Sequence, residues 1–274
     1  LNNEGFLEMS LFANLFIYNY YTFEKPEIIN VFLRVMHLFY KADNTRRELD
    51  EEESRHCTKV LRLFSGDTIY VTDGNGLLEK CQIDVQGKKV KYTILSSEVI
   101  PRRNYAVHMA IAPTRKAERN EWMVEKMTEM GVERIDFIVT ANTIKESLNR
   151  VVNMGRLQKI AAAAMKQSQQ FYLPQITLNQ NFNTFIENSD DDTKLIAYVP
   201  DNQLSLHVIH ATAKAGATLL LIGPEGDFTM QEVEFALQSG FVTASLGASR
   251  LRTETAAVAG CHAINLANLP DLKI

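Results

Sequence analysis

The chain has 274 residues and a formal net charge of −4, with a pI near 5.9; this length suits one large or two modest domains. With 46% hydrophobic and 23% charged residues, the composition is that of an ordinary globular protein. It excludes a disordered or collagen-like chain, and no run of about 18 apolar, uncharged residues is present to span a membrane. An acidic average also excludes a protein that holds polyanions over its whole surface, so a nucleic acid would have to meet a local basic patch.

Residues 1–35 hold 2 basic and 4 acidic side chains, 36–105 hold 12 and 11, and 106–274 hold 15 and 18. The first stretch carries an aromatic, apolar run from Leu11 to Tyr21 with Glu4 and Glu8 ahead of it. A secretory signal needs a basic start and a small-residue cleavage site, and neither stands here. Met36-His37-Leu38-Phe39-Tyr40 reads as a natural start. Residues 1–35 are therefore expected to be an upstream extension outside the folded body. Cys57, Cys81 and Cys261 are far apart, with no disulfide framework or zinc spacing; they read as reduced thiols of a cytoplasmic protein without a metal site.

Residues 36–105 are expected to form a small β domain. Ile69–Val71, Cys81–Val85 and Val90–Ile94 alternate apolar and polar, the period of a half-buried strand. Asp73-Gly74-Asn75-Gly76 and Gln86-Gly87 supply the turns between them. From 106 to 274 short apolar runs (107–112, 135–140, 195–199, 218–222, 242–246) alternate with helical patterns at 118–130, 155–170, 204–215, 230–239 and after 253. That alternation predicts an α/β domain with a parallel sheet covered on both faces. Thr229 and Glu232 form a T-x-x-E capping box, and Gly240 marks the exit of that helix. Asp190-Asp191-Asp192 reads as a solvated loop.

Two strand-to-loop junctions carry the chemistry. One runs Leu219 to Phe228 through Gly223-Pro224-Glu225-Gly226-Asp227, the other Ser245 to Ala256 through Leu246-Gly247 and Leu251-Arg252-Thr253-Glu254. In an open parallel sheet ligands bind beyond the carboxyl ends of strands, where both loops fall. Neither loop is a P-loop, Gly74-x-Gly76 lacks the third glycine of a dinucleotide fingerprint, and no G-x-S-x-G is present. Basic residues cluster at Arg46, Arg47, Arg55, Lys59 and Arg62, and again at Arg102, Arg103, Arg115, Lys116 and Arg119. On one face they would make a phosphate track; beside Glu48 and Asp50–Glu53 the first group reads equally as a mixed solvated surface.

From Met36 to the C-terminus the chain resembles the RsmE family, SPOUT methyltransferases acting on N3 of a uridine in 16S ribosomal RNA. The resemblance is carried by Leu61-Arg62-Leu63 with Gly66-Asp67, Asp73-Gly74-x-Gly76, and Lys126 with Glu129-Met130-Gly131-Val132. It continues in Lys166-Gln167-Ser168 with Leu173-Pro174, and in the two junction loops. It implies a PUA-like β-barrel for RNA (36–105), then a SPOUT domain (106–274) with a C-terminal trefoil knot, assembled as a homodimer. S-adenosyl-L-methionine would lie against Val199, Ile222, Gly223, Glu225, Gly226, Leu246, Gly247, Leu251 and Thr253. Lys166 and Gln167 join Arg46, Arg62, Arg102, Arg103, Arg115, Lys116 and Arg119 as residues for 16S rRNA in the small ribosomal subunit. Asn142 to Ser147 match the family's segment only loosely, and Ala257 stands where relatives often carry glycine.

The implied reaction needs the N3 proton to leave and the charge on the neighbouring carbonyl oxygens to be stabilised. Arg252 suits the second task. Glu254 is a candidate base, although a carboxylate in such a turn more often organises its loop. A catalytically inactive ribosome-assembly factor and a SPOUT enzyme acting on another RNA are the alternative classes.

Overall fold

The computed structural model describes residues 36–43, 45–143, 145, 148–179, 181–198, 206–212 and 215–269. Residues 1–35 and the expected cofactor contact Val199 lie outside the described residues. The chain divides into two compact units. Among the described residues, one takes 36–39 with Arg47–Val71 and Lys80–Ser96, the other Tyr40–Arg46, Thr72–Glu79 and 97–269.

Strands β1 (Leu38–Tyr40), β2 (Thr68–Thr72), β3 (Leu77–Gln86) and β4 (Lys89–Val99) form a four-stranded sheet in the order β1-β2-β3-β4. The alternation seen in the sequence is the burial pattern: Ile69, Val71, Cys81, Ile83, Val90 and Tyr92 face a core shared with Phe39, Leu49 and Cys57. A helical segment absent from the sequence reading closes that core. It begins as α1 (Glu51–Arg55), capped by the Asp50 carboxylate accepting from Glu53 N–H, and continues as a π-helical turn, His56–Val60. Its acid-rich first turn faces the positive end of the helix dipole, which is why four successive acids fold rather than fray.

A seven-stranded sheet builds the second unit. Its strands are β5 (Tyr105–Ile111), β6 (Arg134–Ile138), β7 (Gln175–Asn179), β8 (Thr193–Ala197), β9 (Leu206–His207), β10 (Gly216–Ile222) and β11 (Val242–Ser245). The order is β7-β6-β5-β10-β8-β11-β9, and the recorded pairings are parallel. Helices α2 (Ala117–Glu129), α3 (Leu148–Val151), α4 (Met154–Gln167), α5 (Phe182–Glu187), α6 (Val208–Ala211), α7 (Met230–Gln238) and α8 (Thr253–Ala267) connect them. Val107, Met109, Ile111, Ile135, Phe137 and Leu220 point to one face, with Met123, Met127, Leu157, Cys261 and Ile264. Ala110, Ile138, Ile196, Leu219 and Leu221 point to the other, with Phe182, Ile186, Val233 and Ala236. Both faces are covered, as near-continuous apolar strands require.

Two expectations are corrected here. Among the described residues of the helix expected over 204–215, only α6 is helical, because Leu206 and His207 instead pair with Ala244 and Ser245 of β11. The acidic run is a solvated loop only in part, since Asp190 and Asp192 are exposed and Asp191 is not. Asp191 is buried, hydrogen-bonded to His108 Nδ1 and ion-paired with Arg134 at 2.9 Å, and Asp192 accepts from Ala217 N–H at 2.7 Å. All three cysteines are free and buried.

Candidate active site

Because the strands are parallel, the loops after β8, β10 and β11 open at one edge of the sheet. They enclose a cavity of about 810 Å³ lined by Ala197, Tyr198, Ile222–Glu225, Asp227, Ala244–Thr253, Ala256 and Arg119. That volume lies within the range of small-molecule and cofactor sites. Six of the lining residues are apolar aliphatics (Ala197, Ala244, Ala256, Ile222, Leu246, Leu251), and the loop 245–253 supplies a continuous stretch of the wall. Gly247 has φ +119°, and nothing lies within 4 Å of where its Cβ would stand. Only glycine adopts that backbone without strain, and it leaves the peptide open to a ligand.

The two junctions are locked to each other. Thr253 Oγ1 donates to the Gly223 carbonyl at 3.0 Å, so the first residue of α8 holds the end of β10. A third loop braces the first of them. Asn142 Nδ2 donates to the carbonyls of Gly226 (3.2 Å) and Asp227 (2.9 Å). Glu232, in the capping box of α7, also accepts from Ala141 N–H at 2.7 Å. The loose family match at Asn142 concealed this role, since its partners stand more than 80 residues away in sequence.

Charges at the rim fall into two groups. Arg119 Nη1 lies 3.1 Å from Glu254 Oε1 and 3.6 Å from Glu225 Oε1, and Arg115 Nε lies 3.6 Å from Glu225 Oε2. Arg252 is different. It occupies the N-cap position of α8 without capping it, lines the cavity, and makes no ion pair among the described residues. Glu254 is 9% exposed and is not part of the cavity lining; Oε2 is buried and has no hydrogen-bond partner among the described residues.

The structure places the remaining expected residues as follows. Ile222, Gly223, Glu225, Leu246, Gly247, Leu251 and Thr253 line the cavity, whereas Gly226 lines a smaller recess of about 190 Å³ with Arg115, Asn142 and Thr143. Arg102 stacks on the Tyr172 ring at 4.1 Å. Arg103 is withdrawn from the expected RNA track: it hydrogen-bonds Asn265 Oδ1 (2.7 Å), Tyr105 Oη (3.1 Å) and the Gly131 carbonyl, and pairs with Glu133. Burial alone would lower its pKa, but the Glu133 carboxylate reverses this and holds the guanidinium above its ordinary value. Arg119 lines the cavity and Arg115 the smaller recess, Lys116 precedes α2, and Lys166 and Gln167 end α4. Arg46 belongs to the second unit and Arg62 to the first.

The family model of the RNA methyltransferase domain matches residues 101–265, which include every element of this cavity. The chain belongs to the RNA methyltransferase family. A model of the RNA methyltransferase PUA domain matches residues 49–95. Among curated relatives of this RNA methyltransferase, ribosomal RNA small subunit methyltransferase E of Bacillus subtilis is 26% identical over 243 residues, covering 82% of this chain and 95% of its own. A probable rRNA-methyltransferase from Porphyromonas gingivalis has a similar structure, with TM-score 0.78 and 36% identity over 85% of this chain and 98% of that one. The small subunit methyltransferase E of Neisseria gonorrhoeae, bound to S-adenosyl methionine, aligns with TM-score 0.71 and 25% identity over the same shares.

Proposed function

We propose that this chain is an S-adenosyl-L-methionine-dependent ribosomal RNA methyltransferase, and that its target is N3 of a uridine in 16S rRNA of the small subunit. The observation that carries the reading is the cavity at the carboxyl ends of β8, β10 and β11, lined largely by small and apolar residues, with Arg252 in its lining and in no ion pair among the described residues. Its fit to the cofactor is physical. Apolar lining residues suit an adenine ring, and the exposed peptide at Gly247 offers hydrogen-bonding groups without a Cβ in the way.

When bound, S-adenosyl-L-methionine supplies an electrophilic methyl group on a sulfonium, open to in-line attack by a nucleophile. Ile222, Gly223, Glu225, Leu246, Gly247, Leu251 and Thr253 would hold it, and Thr253 fixes the Gly223 carbonyl. Arg252 would donate to the uracil carbonyl oxygens as the N3 proton leaves, stabilising charge that develops only during reaction. Glu254 acts through Arg119: its buried carboxylate fixes that guanidinium over the cavity. With the RsmE-type reading go a trefoil knot formed by the C-terminal loops, a homodimer with its sites at the subunit interface, and work in the cytoplasm. No helix among the described residues is long and apolar enough to cross a membrane.

The test uses small ribosomal subunits from a strain lacking this gene, incubated with the protein and S-adenosyl-L-methionine and then digested for nucleoside mass spectrometry. N3-methyluridine is the expected product. A different methylated nucleoside would overturn the uridine assignment alone. No methylation together with no cofactor binding would overturn the enzyme reading.

A further inference from the structure

Residues 55–67 of the first unit hold an arrangement that the methyltransferase cavity does not use. Phe64 is 68% exposed and Val60 63% exposed, yet the chain between and around them is tightly pinned. Leu61 N–H donates to the His56 carbonyl at 3.0 Å, Leu63 N–H to Cys57 at 3.1 Å, and Gly66 N–H to Ile83 at 2.9 Å. Phe64 N–H donates to Asp67 Oδ2 at 2.9 Å, and Asp67 N–H returns to the Phe64 carbonyl at 3.0 Å. Ser65 Oγ accepts from Val85 N–H at 2.8 Å and donates to Asp84 at 3.2 Å. The phenyl ring is thus carried into solvent on a fixed loop.

Arg62 sits inside this loop at φ +57°. That left-handed conformation is uncommon for a non-glycine residue, and such residues persist where surrounding bonds over-determine them, often at functional sites. Three exposed cations precede it on the same segment, Arg55, Lys59 and Arg62, none of which makes an ion pair or side-chain hydrogen bond among the described residues. An apolar protein-docking patch is depleted of charge at its centre. An exposed aromatic among unpaired cations is instead the pattern that binds single-stranded nucleic acid: the ring stacks on a base and the cations meet phosphates.

We infer that Phe64 is a stacking platform for an unpaired base of the RNA substrate, with Arg62 and Lys59 on the flanking phosphates. The inference rests on the rRNA-methyltransferase reading and narrows its substrate to RNA presenting an unstacked nucleotide to the first unit. Stacking on an aromatic side chain tolerates any base, so Phe64 contributes affinity rather than choice of target.

The experiment measures methyl transfer to small ribosomal subunits from a strain lacking this gene, using full-length wild-type protein, Phe64→Ala, Phe64→Leu and Phe64→Tyr. Phe64 is exposed, so each variant is expected to fold as wild type. Phe64→Ala should raise KM for subunits about 5- to 150-fold, the range of base–aromatic stacking, with kcat and cofactor affinity unchanged. Phe64→Tyr should match wild type, and Phe64→Leu should be as weak as alanine. The sequence has one tryptophan, Trp122, so Phe64→Trp in a Trp122→Phe background gives a direct signal: emission quenched when subunits bind. An unchanged KM for Phe64→Ala would overturn the inference while leaving the enzyme reading intact. Full rescue by leucine would also overturn it, pointing to an apolar protein contact. Wild-type protein that neither binds nor methylates rRNA would remove both readings.

Discussion

Arg119 Nη1 and Glu254 Oε1 lie 3.1 Å apart, joining the start of α2 to the start of α8 beneath the rim of the cavity. The glutamate side chain is 12% exposed and the arginine 28%. Removing the arginine would leave a largely buried carboxylate whose other oxygen already has no partner among the described residues. Arg119→Ala should therefore lose about 2 kcal/mol, below the range for a fully buried pair because Arg119 keeps some solvent. Urea unfolding checks this. The double variant Arg119→Ala with Glu254→Gln should be more stable than Arg119→Ala alone, since the stranded charge is gone; equal stability would mean the pair carries no such burden.

Arg252 presents the opposite case, a cation with no acid to neutralise at the lip of the same cavity. Its expected effect falls on the transition state rather than on cofactor binding. Arg252→Ala should lower kcat about 100-fold or more, the usual consequence of losing one donor to a developing oxyanion. Calorimetric affinity for S-adenosyl-L-methionine should stay within about twofold. A lysine in its place should recover part of the loss, because charge survives and the forked geometry does not.

On the other side of the sheet, His108, Asp191 and Arg134 form a buried chain of charge that continues to Asp136. Burial works against ionisation of Asp191, but the His108 hydrogen bond and charge, joined by Arg134, outweigh it and hold the carboxyl below its ordinary 3.8. A group depressed in the folded state adds stability above its unfolded pKa and loses it as pH falls through the folded value. Wild-type protein should thus lose stability as pH drops below about 4. Asp191→Asn should be less stable at neutral pH and should show a shallower acid limb in urea titrations at several pH values. Parallel acid limbs would remove Asp191 from the acid response.

What could be read from the sequence divides by range. The apolar strands, the Thr229–Glu232 box and the two junction loops that line the cavity are contiguous segments, and local pattern exposes them. Arg103 could not be placed because its partners Glu133 and Asn265 are distant in sequence, and an arginine pair after a proline looks the same whether it meets RNA or a buried acid. Asp191 was misplaced for the same reason: three adjacent acids look solvated until His108 and Arg134 arrive from neighbouring strands. Strand β7 was missed because Gln175, Thr177 and Asn179 make one of its sides polar. There Thr177 and Asn179 hydrogen-bond Asp136, so the polar residues satisfy a buried acid rather than face water. Phe64 is legible in neither way; only its exposure on a pinned loop distinguishes it from a core residue.

Packing of α8 against the sheet gives the last expectation. Gly260 lies in the middle of that helix, and a Cβ built there would stand 2.4 Å from Leu220 Cδ2. Leu220 is fully buried at the centre of the sheet, so its methyl group has nowhere to retreat without moving β10. Replacing the glycine with alanine would recover about 1 kcal/mol of helix propensity, which partly masks the clash. Valine adds two methyl groups and little propensity, so Gly260→Val isolates the packing contribution. It should lose about 2–3 kcal/mol in urea unfolding. Shifting α8 also displaces Thr253 from the Gly223 carbonyl, so affinity for S-adenosyl-L-methionine should fall in the same variant. Lost stability with unchanged cofactor affinity would show that the helix yields at Gly260 without disturbing its first turn.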